Sequence, residues 1–202
     1  DGKFRGDKKV FTDPNDVNYH PVYTNNPAWI LYDLLTNERY GLGTYIDPDY
    51  DMENIDKYQF FELAKYCDEL VPDGQGGTEP RFSCNVFINQ QKEALKVIKD
   101  LLTVFRGIML WHDGEISINM QQEKAPLFTF TKGNVVGGLF SYQYPSSRVR
   151  ANSIQVTWND PENHYKQQVE IVEDTENIAK VRKIVSKKTV AYGCTSRSQA
   201  HR

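Results

Sequence analysis

The hydrophobic period changes once along this chain of 202 residues, near Pro126, and that change limits what the chain can fold into. Before that point, three stretches carry apolar residues at three-to-four spacing, separated by shorter alternating runs. Beyond it the helical spacing disappears, and β-branched and aromatic residues alternate instead. The pattern predicts an α/β unit followed by an antiparallel β unit, which makes the fold class α+β. With 39% hydrophobic and 25% charged residues the chain can bury a core, which excludes fibrous, collagen-like and wholly disordered folds. No run of about 18 apolar residues occurs, so no helix is expected to cross a membrane and no membrane partner is expected.

Local signals place the elements. Asn26 is set to cap a first helix, Pro27 suits its first turn, and Ile30 or Leu31 with Leu34 and Leu35 gives its apolar face, with Gly41 and Gly43 beyond its end. A second helix is expected from Asp56 to Leu70, with Phe60, Phe61, Ala64, Cys67 and Leu70 on one side and Pro72 as its stop. The glycine-rich stretch 72–80 reads as a turn, and Arg81 to Ile88 as a strand with Phe82, Cys84 and Val86 on one face. Asn89 is the expected cap of a third helix, whose stripe of Ala94, Leu95, Ile98, Leu101, Leu102 and Phe105 ends at Gly107. Asp113-Gly114 between two apolar runs, 108–112 and 115–119, predicts a tight hairpin.

After Pro126, strands are expected at 127–131, 139–144, 149–158, 165–172 and 180–192, closing into a small barrel or sandwich. The resulting domain plan has an extended segment over 1–24 that can join the β unit. An α/β domain of about three helices on a short sheet covers 25–124, and the antiparallel β domain covers 125–202. The chain opens on Asp1 rather than Met, and Cys194 to Gln199 reads as a helix cap without its helix. A fragment of something longer, cut within the β domain, is therefore expected.

The sequence offers no recognisable catalytic set, cofactor motif or metal-ligand spacing, so no catalytic residue, no cofactor, no metal and no enzyme are expected. Gly74, Gly76 and Gly77 follow a helix and precede a strand, the reverse of the order a phosphate-binding loop needs. Asp47, Asp49 and Asp51 resemble the opening of a calcium loop. Its sixth position, however, is Met52 rather than Gly, and its twelfth is Tyr58 rather than Glu. The four histidines, His20, His112, His164 and His201, stand apart from one another and from Cys67, Cys84 and Cys194. Those three cysteines, odd in number and widely spaced, do not read as a disulfide scaffold and suit synthesis in a reducing compartment.

Charge and aromatic content say more. Residues 1–124 hold 13 Lys and Arg against 21 Asp and Glu, a balance of −8, whereas residues 125–202 hold 11 against 6, a balance of +5. Such a split suits head-to-tail contact between copies. The basic excess gathers at Lys180, Arg182, Lys183, Lys187 and Lys188, a candidate assembly surface on what reads as a strand with one charged face. A solvated strand edge explains the pattern better than nucleic-acid binding does. Among twelve tyrosines, Tyr40 and Tyr45 fall in loops and are candidates for a binding surface, a carbohydrate platform among the options.

Several blocks of sequence resemble one family. Asn26 to Gly43, Tyr66 to Gly74, Gly76 to Phe82, Phe105-Arg106-Gly107, Val156 to Pro161, Val172-Glu173-Asp174 and Gly193 to Ser196 are similar to the host-specificity protein J family. Its members are tail-tip proteins of lambda-like long-tailed phages. The blocks run in order across nearly the whole chain. The resemblance implies a structural hub segment, similar to the baseplate hubs of contractile tails, in a homotrimer that closes the tail tube and supports host attachment and DNA ejection. It implies partners among its own copies and the other tail-tip proteins. Host receptor would be met only by C-terminal regions outside this chain, and nucleic acid only as the ejected genome in the lumen. The implied location is the virion tail tip, after synthesis in the bacterial cytoplasm. Two other functions are weighed against the hub: a carbohydrate- or receptor-binding module using the loop tyrosines, and a tail-borne cell-wall hydrolase.

Overall fold

The computed structural model describes residues 23–46, 55–89, 92–112, 115–122, 125–144, 146 and 150–202. Helix α1 (Pro27–Thr36) starts at the expected cap: Asn26 Oδ1 accepts the Ala28 amide at 3.0 Å. The short α2 (Gly43–Ile46) follows, then α3 (Lys57–Asp68), where Asp56 Oδ1 accepts the Tyr58 amide at 2.8 Å. Asn26 Nδ2 donates to the Ala64 carbonyl at 2.8 Å, so the α1 cap also ties α1 to α3. Helix α3 stops at Asp68, short of the expected Leu70. Leu70 is exposed and opens β1 (Leu70–Pro72), which pairs antiparallel with β2 (Thr78–Pro80). The glycine-rich turn joins them, with Asp73 Oδ1 accepting the Gln75 and Gly77 amides at 2.7 and 2.9 Å.

The third helix, α4 (Ala94–Val104), is capped at Glu93 without a side-chain bond, not at Asn89. Its first buried position is Ile98, and Ala94 and Leu95 are exposed, so no core contact holds an earlier turn in place. Arg106 rather than Gly107 takes the left-handed conformation, at φ 57°. Gly107 is needed for a different reason: a Cβ there would lie 2.6 Å from the Phe105 ring. Strands β3 (Gly107–His112) and β4 (Glu115–Met120) form the expected hairpin. Phe60, Phe105, Leu31, Leu35, Leu101 and Ile118 are fully buried where α1, α3, α4 and this hairpin meet. Each contributes roughly 2 kcal/mol by its burial.

Residues 81–88 do not form the expected strand. Their backbone bonds go to separate places: the Phe82 amide to Cys67, the Cys84 amide to Asn25 and the Asn85 amide to Gly193. No single partner runs alongside, so no ladder forms. Val86 is exposed while Cys84 is buried, so the expected common face is broken as well.

The second unit is also rearranged. Strands β5 (Ser153–Asp160), β6 (Lys166–Glu173) and β7 (Ser186–Val190) make one sheet in the order β6-β5-β7. The β5–β6 pair is antiparallel, but β5–β7 is parallel, and the described residues close no barrel. The crossover explains the parallel pair. Asp174 accepts the Asn177 amide at 3.0 Å and starts α5 (Thr175–Val181), so the expected strand over 180–192 is a helix end, a loop and β7. Arg182, at φ 52°, ends that helix. Asn152 then pins the loop, donating to the Lys183 carbonyl and accepting the Val185 amide, each at 2.7 Å.

Residues 127–131 and 139–144 are not strands either, although their alternation is of strand type. Leu127, Phe128, Phe130, Leu139, Tyr142 and Tyr144 are exposed, and among the described residues no strand lies beside them to complete a ladder. Finally, Ser196 caps α6 (Arg197–His201), accepting the Gln199 amide, so the cap at the chain's end does carry a helix. The expected pairing of 1–24 with the β unit falls mostly on residues outside those described.

Asn26 is 2% exposed and serves two partners at once. Asn26→Ala removes the α1 cap and orphans the Ala64 carbonyl, and should lower stability by about 2 kcal/mol. Urea denaturation followed by circular dichroism reads this directly.

Candidate functional site

The densest polar network among the described residues lies where α6 docks on the β1–β2 hairpin. Glu79, on β2, accepts from the Ser196 hydroxyl at 2.7 Å, from the Ser198 hydroxyl and from Arg202 Nη1 at 2.8 Å. Burial pushes the Glu79 carboxyl up, but the Ser198, Ser196 and Arg202 donors together outweigh it and hold the group below the ordinary carboxylate range. Arg202 also donates to the Arg81 carbonyl at 3.0 Å. Arg81 in turn reaches Glu69 at 2.7 Å and lies 4.5 Å over the Tyr66 ring.

Two further contacts flank this one. Gln199 Nε2 donates to the Ser83 carbonyl at 3.0 Å, while Gln199 Oε1 accepts the Ser83 amide at 3.1 Å. On the sheet side, Arg197 Nε donates to Glu170 Oε2 at 2.8 Å, and His201 Nδ1 stands 3.2 Å from Glu170 Oε1. The Arg197 and His201 contacts keep the Glu170 carboxyl low. Ala200 packs with Val156 and Cys194 in a small apolar cluster beneath. The hydroxyls and the guanidinium all point into one carboxylate, which fastens α6 to the hairpin.

The five basic residues are exposed but not on one face. Lys180 lies on α5, paired loosely with Glu176 at 3.8 Å; Arg182 and Lys183 lie in the loop. Lys187 and Lys188 follow one another on β7 and so project to opposite sides of the sheet. Tyr40 and Tyr45 are both exposed, but Tyr45 lies on α2 rather than in a loop, and the Tyr40 hydroxyl donates to Asp33 Oδ2. Among the described residues no group of three His, Cys, Asp or Glu side chains is placed to hold a metal. Asp47, Asp49 and Asp51 lie outside the described residues.

Residue-by-residue reading missed the joint, because its partners lie more than a hundred positions apart. A signal was present all the same: the blocks Gly76 to Phe82 and Gly193 to Ser196, noted separately for their family resemblance, meet here in space.

Residues 93–202, just over half of the chain, match the model of a family described as putative phage tail protein. The chain belongs to that family. Over 187 residues, 93% of this chain, it is 42% identical to a protein named tip attachment protein J from Escherichia phage SECphi27. It is 34% identical over 188 residues to the protein of the same name from Escherichia phage SECphi4. These relatives bear out the resemblance to the protein J family. The chain spans 15% and 16% of their respective lengths. The matched stretch begins at the cap residue of α4 and runs to the end of α6, so it takes in residues on both sides of the period change.

Because Glu79 is held low in the folded state, its contribution is complete above the ordinary carboxylate range and is lost as pH falls through the depressed value. The melting temperature should therefore fall between about pH 5 and pH 3. Glu79→Gln should start lower and show a flatter fall, which calorimetry across that range measures.

Proposed function

We propose that this chain is a structural hub segment of a phage tail-tip protein, one that helps close the tail tube and supports host attachment and DNA ejection. The observation that carries the reading is identity along 93% of the chain to two proteins named tip attachment protein J. In this reading the segment works as a homotrimer at the virion tail tip, after synthesis in the host cytoplasm. Its neighbours are other tail-tip proteins, and regions outside this chain meet the receptor. Residues 25–124 form one domain and 125–202 the other.

Two features of the molecule support an assembled role. Large apolar side chains from Leu127 to Tyr144 stand in water, which a monomer rarely leaves in one stretch. The charge split between the units also suits a ring, where each copy presents one face to a different face of the next. Lys183 and Lys187 on the basic side then meet the acidic first unit of a neighbour.

Lys183→Glu with Lys187→Glu in the full-length protein should weaken association about tenfold at moderate salt, with helix and strand content unchanged by circular dichroism. Mass photometry reads the oligomer fraction. Association at the wild-type level would contradict the proposed contact.

A further inference from the structure

Two of the three free thiols in this chain are carried by neighbouring segments, 84–85 and 193–195, which are joined by hydrogen bonds. Cys84 sits in the extended segment after β2, and Cys194 in the turn between β7 and α6. The Asn85 amide donates to the Gly193 carbonyl at 2.8 Å, and Asn85 Nδ2 donates to Thr195 Oγ1 at 2.8 Å. These bonds bracket Cys194 and lay the two segments side by side. The Cys84 sulfur fills the space a side chain at residue 193 would take: a Cβ on Gly193 would lie 2.5 Å from it. Cys194 follows Gly193 directly, so its backbone lies beside the Cys84 side chain. Each residue is only 2% exposed. Cys67 is different: it is buried within α3, and the charges that act on it are Asp68 and Arg81, not a thiol.

We propose that Cys84 and Cys194 are a redox-controlled pair that closes to a disulfide across the joint when the protein leaves a reducing compartment. The oxidant is a small-molecule disulfide such as oxidised glutathione. One cysteine loses its proton and attacks that disulfide, which breaks its S–S bond, releases one glutathione thiolate and leaves a mixed disulfide. The second cysteine, also deprotonated, attacks the protein sulfur of the mixed disulfide and expels the other glutathione. Two protein thiols thereby give up two electrons and two protons, and one oxidised glutathione becomes two reduced ones. The weak bond from the Cys194 thiol to the Ser196 carbonyl, at 3.1 Å, is given up in exchange.

Burial pushes the Cys84 thiol up to about 11, and it raises Cys194 as well. Both thiols are therefore slow nucleophiles, which suits a bond made once after assembly rather than a rapid sensor. A reducing cytoplasm keeps such a pair open, and an oxidising exterior permits it to close. That timing rests on the tail-tip reading; the bond itself does not. Once closed, it adds a covalent tie to a joint held by hydrogen bonds of Glu79, Gln199 and Asn85.

The test equilibrates the 202-residue chain with oxidised glutathione at mildly alkaline pH, then denatures it, alkylates free thiols and weighs it. The expected product takes up one alkyl group, on Cys67, is about 2 Da lighter before alkylation, and yields a peptide linking Cys84 to Cys194. Its melting temperature rises by roughly 10 °C and returns with reductant. Cys84→Ser and Cys194→Ser each keep their two remaining thiols free and show no rise, whereas Cys67→Ser pairs as the wild type does. Three alkylated cysteines, glutathione adducts alone, or bonds to Cys67 or between chains would overturn the proposal. A failure of the tail-tip assignment would leave this result untouched.

Discussion

The carboxylate of Glu79 fastens the last residues of the chain to the β1–β2 hairpin. Its oxygens accept from Ser196, Ser198 and Arg202, all from the last residues of the chain, while Glu79 itself sits on a hairpin built onto α3. The β6-β5-β7 sheet buries little by itself: its apolar cluster is Val156, Cys194 and Ala200, with Trp158 and Ala191 alongside. A cluster that small cannot fix a relative orientation through area alone. Tyr192 packs on the main core, Asn85 bonds Gly193 and Thr195, and α6 adds directional bonds on both sides, to Glu79 and Ser83 in one direction and to Glu170 in the other. A carboxylate facing several donors is a strong acceptor with little freedom to move, and so suits a joint.

The first unit was legible because its signals are local. Asn26 with Pro27, Asp56 before α3, and Asp113-Gly114 between apolar runs each specify an element through a few neighbouring residues. The stripe from Ile98 to Phe105 did the same for the core. Where reading failed, the deciding partner was distant. Residues 81–88 alternate like a strand, yet their amides reach Cys67, Asn25 and Gly193. Residues 127–131 and 139–144 carry the right alternation and find no edge among the described residues. Between Lys180 and Tyr192, the cap at Asp174 outweighed β-branched composition and wound the first residues into α5. The sheet's order, with β7 parallel to β5, depends on that crossover and could not be read from strand patterns alone.

The candidate surfaces fared differently. All five basic residues were found exposed, but the intended single face dissolved once Lys180 and Arg182 were placed on a helix and its end. What survives is a basic flank spread over α5, the loop and both sides of β7, opposite in charge to the first unit. A spread of this kind gives long-range attraction and orientation more than tight local pairing. The joint was invisible to local reasoning, yet two of the blocks that mark the family resemblance build it.

Structural service at the tail tip is read most plainly by electron cryomicroscopy of the intact virion. Density at the distal end of the tail should fit the β6-β5-β7 sheet with α6 on one face, repeated as a trimeric ring about the tail axis. Such density only along side fibres, or none in the particle, would contradict that role.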